Sequence, residues 1–441
     1  MAGFTTYDSD TLRSLHRKLL LEYEGFKQKN LKLDMSRGKP CPEQLDLTDG
    51  LLSCLNGDYL AEDGTDCRNY GGVEGLPEAR RLFASCLGVQ PEEIIVSGNS
   101  SLALMHDLIA RAMLFGVDDQ ERPWGEGPVK FLCPCPGYDR HFALCELFKI
   151  EMIPVPMRDD GPAIDQIEEL VAHDPSIKGI WCVPMYSNPT GVTYSDEVVT
   201  RLATMKTKAT DFRIFWDNAY ALHHLTDQPD RLLNILEVCR EANNPDRVYI
   251  FSSTSKISYA GAGVAMVASS VKNIRRLARL MSLQTIGPNK LNQLCHVRFF
   301  KDLENIHAHM KKHAAILRPK FQLVQDILQR ELGDKKIATW TKPRGGYFIS
   351  LNTLEGCAKK VVQLAAEAGV IFTKAGATFP YGYDPLDQNI RIAPTYPPLH
   401  ELKTAMELFS LCVQLASIEK ILMDRAAETI TLSSVQTAKT G

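Results

Sequence analysis

Lys256 is the residue whose type and surroundings point most directly to chemistry. It ends the segment VYIFSSTSK, in which a buried-strand pattern runs into a hydroxyl-rich turn. A lysine at the mouth of an apolar pocket is partly desolvated, which lowers its pKa and makes the neutral amine available as a nucleophile toward an aldehyde. The hydroxyl and amide donors at 252–255 suit a phosphate. Together these features suggest pyridoxal phosphate; the ordinary alternative is a lysine solvated in a Ser/Thr loop.

Other polar residues of interest follow predicted strands. From residue 94 the chain repeats strand, turn and helix, with strands at IIVS (94–97), KFLC (130–133), GIWCV (179–183), RIFWD (213–217) and VYIFS (248–252). This alternation predicts an α/β fold with a mostly parallel sheet and helices on both faces. Ligands in such sheets bind beyond the carboxyl ends of the strands. The candidates that follow these strands are Ser100, Ser101, Tyr138, Asn188, Asp217, Tyr220 and Lys256.

The ring of pyridoxal phosphate needs several partners, and the sequence offers a candidate for each. Asp217, at the end of an apolar strand, supplies the carboxylate that keeps the pyridine nitrogen protonated. Tyr138 offers an aromatic face, and Asn188 and Tyr220 offer donors to the phenolic oxygen. We predict Lys256, Asp217 and Tyr138 as catalytic residues. Taken singly, Asp217 is an ordinary turn carboxylate and Tyr138 a core aromatic.

A phosphate site is predicted where a helix begins. The backbone amides of Asn99, Ser100 and Ser101 open the helix that follows the first of these strands. Helix N-termini bind anions because their first N–H groups have no partner within the helix. Ser253 and Ser255, beside the lysine, would add hydroxyl donors.

Three motifs, SNPTG (187–191), DNAY (217–220) and SSTSK (252–256), occur in an order and at separations that resemble the class I aminotransferases of pyridoxal phosphate fold type I. The resemblance covers about residues 30–418. It implies a fold type I transferase, with a mostly parallel sheet of the seven-stranded type, helices on both faces and a smaller α/β domain. It also implies a cis peptide bond between Asn188 and Pro189.

Two further segments carry predicted site residues through the same resemblance. NIRIAPTYP is similar to the family segment whose arginine clamps the substrate α-carboxylate, which gives that role to Arg391. RNYGG resembles the segment whose tyrosine reaches the phosphate of the neighbouring subunit. The resemblance therefore gives that role to Tyr70 and implies a homodimer.

One position departs from the family pattern. The family usually has an arginine eight residues after the reactive lysine to hold the phosphate, and this chain has Val264 there. With SRGKP, GNSSLAL and QTIGPNK, this variation resembles the divergent branch that groups with the aminotransferase half of MocR-type proteins and contains aspartate aminotransferases.

The resemblance implies transamination in two half-reactions, a ping-pong mechanism, with Lys256 as both covalent anchor and general acid/base. L-Aspartate as donor and 2-oxoglutarate as acceptor are the predicted substrates. The predicted substrate contacts are Arg391, Asn188, Gly38 and Arg37. A dicarboxylate needs a second cation, for which Arg37 and Lys290 are the candidates.

Two other functions stay open at this stage. The chain could be a pyridoxal phosphate-dependent β-eliminating lyase, because one fold supports several reactions. It could also be a regulator whose aminotransferase-like domain senses a ligand, although the acidic balance and the single clear helix before Asp34 argue against a DNA-binding domain. His309 and His313 are spaced i, i+4, but no glutamate follows the first, which favours a solvated helical face over a zinc site. No metal is predicted.

The chain of 441 residues exceeds the size at which one hydrophobic core keeps growing, so two lobes are expected. We predict the N-terminal part of a small domain at 1–55, a large cofactor-binding domain at 56–314, a C-terminal small domain at 315–425 and a mobile tail at 426–441. Helices are predicted at 9–29 behind Ser9 or Asp10 as caps, from residue 77, at 102–115, 139–148, 288–331 with breaks, 356–368 and 398–418.

The composition limits the classes of molecule that the chain is expected to bind. A formal charge of -3 gives no reason to expect nucleic acid or an anionic membrane. An apolar run of about 18 residues, which would predict a membrane span, is lacking, as is a signal-peptide pattern. The 12 cysteines have irregular spacing and predict reduced thiols in a cytoplasmic enzyme. The expected partners are an amino acid, a 2-oxo acid and a second copy of the chain.

Overall fold

The computed structural model describes residues 3–439, with side chains up to residue 428. Its α-helices are α1 Ser9–Lys27, α2 Pro42–Asp46, α3 Pro77–Leu87, α4 Ser101–Phe115, α5 Asp139–Leu147, α6 Ile164–His173, α7 Asp196–Thr204, α8 Ile235–Glu241, α9 Val271–Met281, α10 Lys290–Phe300, α11 Leu303–Leu332, α12 Ala358–Glu367 and α13 Leu399–Lys439. Its strands are β1 Leu33–Asp34, β2 Ile94–Val96, β3 Lys130–Cys135, β4 Glu151–Arg158, β5 Gly161–Pro162, β6 Ile177–Cys182, β7 Arg213–Asp217, β8 Val248–Ser253, β9 Ala265–Ala268, β10 Ala338–Trp340, β11 Ile349–Thr353, β12 Val370–Ile371 and β13 Asn389–Ile392.

The large sheet has the strand order β2-β9-β8-β7-β6-β3-β4-β5. Six of its strands run parallel to one another, whereas β9 is antiparallel to both of its neighbours and the two-residue β5 is antiparallel to β4. The predicted mostly parallel sheet with helices on both faces is therefore confirmed. The short β5 at its edge is an addition to the expected seven strands.

Alternate residues of the parallel strands enter two separate cores, as the two-residue period of a strand requires. On β7, Ile214 and Trp216 pack in the core that contains residues of α3, α6, α7, α8 and α10. Phe215 between them packs in the core that contains residues of α4, α5 and α9. Helices on both faces thus leave the carboxyl ends of the strands as the free edge of the sheet, where a ligand can bind.

Three strands of the large sheet were not predicted, the two-residue β5 and the longer β4 and β9, and for β4 and β9 the physical reason is clear. β4 contains Pro154 and Pro156, which lack the N–H group that a central strand needs. The sheet tolerates them because β5 pairs only with Met157 and Arg158, so the preceding part of β4 is an edge. β9 has only four residues and directly follows a glycine-bearing turn, too short a pattern to indicate a strand.

The smaller sheet is antiparallel, with the order β10-β11-β13, and β1 pairs separately with β12 in parallel. A third core joins this region to α1, α12, α13 and the second half of α11. The first half of α11 instead contributes Ile306 and Met310 to a core of the large sheet. One helix therefore enters the cores of both regions, and the predicted domain boundary at 315 falls within it. The domain boundaries themselves stay predictions.

Two details of the predicted helices are wrong. The cap of α1 is Asp8, whose side chain accepts a hydrogen bond from the backbone N–H of Thr11 at 2.7 Å, rather than Ser9 or Asp10. The last helix continues to Lys439 instead of ending near residue 418, although the Ser/Thr-rich sequence after residue 425 lacks an apolar period. The mobility predicted for 426–441 stays a prediction, and its last two residues lie outside the described chain.

Within residues 3–439, none of the helices combines the length and the apolar composition that crossing a bilayer requires. The described cysteines are all free thiols.

Candidate active site

A cavity of about 460 Å³ lies at the carboxyl ends of the parallel strands. Thirteen of the residues predicted for the site line it: Arg37, Gly38, Asn99, Ser100, Ser101, Tyr138, Asn188, Asp217, Tyr220, Ser253, Ser255, Lys256 and Arg391. They come from five strand ends of the large sheet, from the loop after β1 and from β13 of the smaller sheet. The fold therefore brings together residues separated by more than 350 positions in the chain.

Lys256 lies in the turn after β8, against two aromatic rings. Its Nζ is 5.2 Å from the ring centroid of Tyr220 and 5.7 Å from that of Tyr347. Burial lowers the pKa of Lys256 because it disfavours the ammonium form, and the nearby Asp217 carboxylate only partly offsets this. The result is an amine whose neutral form is more accessible than that of a surface lysine. This is the state that nucleophilic attack requires.

Asp217 ends β7 and is buried. Its Oδ2 is 3.0 Å from Nε2 of His141, and that ring is stacked on Trp181 at 4.2 Å between centroids. Its Oδ1 is buried and has no hydrogen-bond partner among the described residues. A buried carboxylate oxygen without a hydrogen-bond partner raises the free energy of the folded state. The cavity therefore offers a place for one protonated group, and a pyridinium nitrogen fits it.

Sequence reasoning missed His141, the residue that holds Asp217. A signal was present, because Tyr138 and His141 are three positions apart at the start of a helix and such residues share one face. Their rings indeed lie 4.9 Å apart between centroids. The residue three positions after Tyr138 could therefore be expected beside the Tyr138 ring, where His141 lies.

The predicted phosphate site is built from two turns that touch. Ser100 caps α4, where its Oγ accepts a hydrogen bond from the backbone N–H of Ala103. Ser253 Oγ donates to Ser255 Oγ at 3.1 Å, and Ser255 Oγ donates to the carbonyl oxygen of Asn99 at 3.4 Å. The serine turn and the helix N-terminus thus form one surface rich in donors, which suits a phosphate.

Val264, where the family arginine is missing, is fully buried in the apolar core. Its N–H donates to Thr254 Oγ1 at 2.8 Å, and the N–H of Thr254 donates to its carbonyl oxygen at 2.8 Å. This pair closes the loop that carries Lys256. The position therefore serves to fix that loop. Apart from Lys256, the cationic side chains that line the cavity are Arg37, Lys39, Arg140 and Arg391.

Arg391, on β13, is held on several sides. Its Nη1 is 2.9 Å from Asp139 Oδ1 and 3.3 Å from Asn188 Oδ1, and its Nη2 is 3.3 Å from Thr373 Oγ1. The guanidinium carbon lies 4.9 Å from the ring centroid of Phe348. Its Nε is buried and without a partner among the described residues. Sequence reasoning did not anticipate Asp139. The predicted cis bond between Asn188 and Pro189 is present.

Gly38 lets its loop approach the ring that supports Arg391. A Cβ at this position would lie 2.5 Å from Cζ and 2.6 Å from Cε1 of Phe348, which is closer than any real contact. Only glycine therefore fits without moving the ring.

We expect Gly38→Ala to lower the free energy of unfolding by about 1–3 kcal/mol, the usual cost of overpacking. The displaced Phe348 should also loosen Arg391 and raise KM. Gly25→Ala is the matched control, because a Cβ there meets nothing within 4 Å and replaces a helical glycine. The free energy of unfolding of Gly25→Ala should be higher than that of the wild type by about 0.5–1 kcal/mol. Denaturant unfolding of both variants measures the difference, and equal stabilities would contradict the predicted clash.

Tyr70 and Lys290 do not line the cavity. Tyr70 is 80% exposed, so within one chain it does not contact the site. Lys290 is buried, and its Nζ donates to the carbonyl oxygens of Asn69 at 2.8 Å and Gly71 at 2.7 Å. The prediction that Lys290 binds a substrate carboxylate is therefore wrong. The lysine instead holds the two residues on either side of Tyr70.

The predicted solvated face at His309 and His313 is also wrong, because both side chains are buried. His313 Nδ1 is 2.9 Å from Gln44 Nε2, its Nε2 is 3.0 Å from His309 Nε2, and His309 Nε2 is 2.8 Å from the carbonyl oxygen of Ile257. These contacts support the backbone just after Lys256. In the part of the chain that the structure describes, no cluster of three or more metal-ligating side chains occurs.

This burial predicts a pH dependence of stability. Burial lowers the pKa of His313 to about 3, whereas an unfolded chain has the ordinary value near 6.5. Between these values the unfolded state binds a proton that the folded state does not, so stability falls as the pH falls from about 6.5. We expect His313→Gln to reduce this slope by up to about 1.4 kcal/mol per pH unit. Urea unfolding between pH 7 and pH 5 measures it.

The matched control is His173→Gln, because His173 is exposed on α6. It should leave the slope of stability against pH unchanged. A wild-type slope in His313→Gln would contradict the assignment of a buried neutral imidazole.

Comparisons with known proteins agree with this geometry. The model of the aspartate amino-transferase family matches residues 7–425. A Mycolicibacterium smegmatis protein described as an aminotransferase is 51% identical over 96% of this chain and 100% of its own. The aspartate aminotransferase of Corynebacterium glutamicum is 47% identical over 94% of this chain and 96% of its own. The crystal structure of an aspartate transaminase from C. glutamicum superimposes with a TM-score of 0.93 at 46% identity, over 95% of this chain and 99% of that one.

The fold and the site therefore define an aminotransferase of the pyridoxal phosphate fold type I class. Within that class, the chain belongs to the aspartate amino-transferase family.

Proposed function

We propose that this chain moves the amino group of L-aspartate to 2-oxoglutarate with pyridoxal phosphate as cofactor, by a ping-pong mechanism. One observation carries the proposal: Lys256, Asp217 and Arg391 face the same cavity. They provide a desolvated amine, a carboxylate with one unpartnered oxygen, and a buried guanidinium that binds carboxylates. Family membership supports the same class of reaction.

The residues present fit the cofactor. Lys256 Nζ would hold its aldehyde carbon covalently, Asp217 Oδ1 its ring nitrogen, and Tyr138 the face of its ring. The remaining contacts would come from Asn188 and Tyr220 at the phenolic oxygen and from Asn99, Ser100, Ser101, Ser253 and Ser255 at the phosphate. When bound, the cofactor supplies an electron sink for the electrons left by the substrate α-proton.

The chain's own residues move the proton and exclude water. Lys256 Nζ would accept the substrate α-proton as a general base and would then deliver it as a general acid. The lowered pKa of Lys256 leaves its Nζ able to accept that proton. The rings of Tyr220 and Tyr347 lie beside this Nζ and would limit the access of water to it.

The substrate would bind through its carboxylates. Arg391 would pair with the α-carboxylate, beside Asn188, whose Oδ1 is 3.3 Å from Nη1 of the arginine. Gly38 brings its loop close to Phe348, the ring that supports Arg391. Arg37 lines the same cavity with an exposed cationic side chain, and it is our candidate for the second carboxylate of aspartate or 2-oxoglutarate.

We expect Arg37→Gln to raise KM for aspartate and 2-oxoglutarate by roughly 10- to 100-fold, the effect of one lost charged hydrogen bond. KM for alanine, which has no second carboxylate, should change little. Arg13→Gln on the exposed face of α1 is the control and should leave both values unchanged. Steady-state kinetics measure these values. An equal rise for alanine and aspartate would contradict the assignment.

We further propose a homodimer in which Tyr70 reaches the phosphate of the neighbouring subunit. Its exposure and the clamp from Lys290 support this, since the loop is held firmly while its aromatic side chain points away from its own core. Leu283 and Ile286, also exposed, precede Gly287, which packs against Gly71. These apolar side chains would extend the contact surface.

Three finer assignments remain proposals. We place the chain in the MocR-like branch that contains aspartate aminotransferases, on Val264 and on the motifs SRGKP, GNSSLAL and QTIGPNK. We keep the domain limits at 55, 314 and 425. We also propose a cytoplasmic location, which the free thiols support because oxidising compartments favour disulfides.

The decisive experiment supplies aspartate and 2-oxoglutarate to the purified protein with pyridoxal phosphate. A transaminase produces glutamate and consumes the acceptor in equal amounts. A β-eliminating lyase releases ammonia and consumes no acceptor, and a ligand-sensing regulator binds amino acids without turnover. Visible spectra recorded with each amino acid in turn would identify the donor.

A further inference from the structure

The arginine proposed to bind the substrate already binds a carboxylate of this chain. Asp139 Oδ1 lies 2.9 Å from Nη1 of Arg391, which is within hydrogen-bond distance for an ion pair. Asp139 is the first residue of α5 and directly follows Tyr138. The pair joins positions 252 apart, and both residues line the cavity.

The two partners differ in their freedom to move. The Arg391 side chain is 6% exposed and is fixed by β13, Thr373 and the ring of Phe348. The Asp139 side chain is 33% exposed, and the pair to Arg391 is the ion pair that the structure shows for it. A carboxylate that reaches water loses little when it leaves its partner, whereas a buried guanidinium without an anion is costly. Asp139 can therefore be displaced, and Arg391 stays in place to receive another carboxylate.

We propose that Asp139 is a built-in counter-ion that occupies Arg391 between turnovers and exchanges with the α-carboxylate of the substrate. This inference rests on the proposed role of Arg391 in the function above. An incoming carboxylate meets the attraction of Arg391 and the repulsion of Asp139, so binding is weaker than the arginine alone would give. The same repulsion helps the product carboxylate to leave. Asp139 thereby sets the carboxylate affinity of the site.

The test measures binding of maleate, a dicarboxylate that has neither an amino nor an oxo group and so cannot react. Isothermal titration calorimetry on the cofactor-loaded protein compares wild type, Asp139→Asn and Asp139→Ser. Both variants should bind maleate about tenfold tighter or more, because a like charge has been removed from the site. In steady-state kinetics, KM for the amino donor should fall by a similar factor. Asp165→Asn, in an exposed ion-pair cluster with Arg158 and Arg201, is the control and should match wild type.

Unchanged or weaker maleate binding in both Asp139 variants would overturn the inference, and weaker binding would show instead that Asp139 orients the arginine. Arg391→Ala separates this failure from failure of the proposed function. If Arg391→Ala binds maleate as wild type does, both the substrate assignment and the counter-ion role are wrong. If Arg391→Ala loses maleate while Asp139→Asn matches wild type, only the counter-ion role is wrong. Tighter binding in Asp139→Asn that is lost in Arg391→Ala supports the inference even when aspartate is not the donor.

Discussion

Lys256→Ala is expected to abolish transamination, with kcat reduced by several orders of magnitude, while the protein still folds. The variant loses both the covalent anchor and the group that moves the α-proton, and general acid/base catalysis alone contributes roughly 10²–10⁴-fold. Lys39, the other lysine that lines the cavity, has its Nζ 3.8 Å from the ring centroid of Tyr396 and so is engaged elsewhere. No substitute amine is therefore in place.

Two measurements check this prediction. Steady-state rates compare Lys256→Ala with Lys420→Ala, which removes a half-buried lysine that pairs with Asp424 on α13 and should keep wild-type activity. Borohydride reduction followed by peptide mass spectrometry should fix the cofactor to Lys256 in wild type and to no residue in Lys256→Ala. Substantial turnover in the variant, or a label on another lysine, would contradict the assignment.

Asp217→Asn is expected to cause the second largest loss. Removing one partner of a buried charge pair costs about 3–5 kcal/mol. At about 1.4 kcal/mol per tenfold in rate, kcat should fall by roughly 10²–10⁴-fold. Asparagine has the shape of aspartate, so the packing of β7 against its neighbours should survive. The variant isolates the charge that the ring nitrogen needs.

His141→Asn is the graded control for this prediction. His141 contacts Asp217 Oδ2 and leaves Oδ1 untouched, so its loss should misplace the carboxylate without removing it. We expect a smaller fall in kcat than for Asp217→Asn. A loss below tenfold in Asp217→Asn, or a greater loss in His141→Asn, would show that the carboxylate does not act on the cofactor.

The sequence allowed prediction of features that depend on local order. Strand-turn-helix repeats set which residues stand at strand ends, and the topology of a parallel sheet then brings Ser100, Asn188, Asp217 and Lys256 to one edge. Contacts between distant segments were beyond that reasoning. Asp139 meets Arg391 only because the smaller sheet folds over the start of α5, and no spacing in the chain encodes that approach.

The burial of individual polar side chains was the second feature that could not be predicted from the sequence. His309 and His313 have the spacing of an exposed helical stripe, yet α11 passes between two cores and buries them. Lys290 looked like a free cation, whereas two backbone carbonyls hold it. In both cases the residue type suggested a side chain exposed to solvent. The tertiary packing instead buries that side chain and supplies its hydrogen-bond partners.

The long helix α11 has a mechanical consequence. It enters the core of the large sheet through Ile306 and Met310 and the core of the smaller sheet from Leu317 onward, and Pro319 lies two residues after Leu317, at the start of this second segment. A proline inside a helix removes one backbone hydrogen bond, so bending stiffness is lowest there. Any rotation of the core of the smaller sheet against the core of the large sheet would bend α11 near Pro319, and it would change the distance from Arg391 to Lys256.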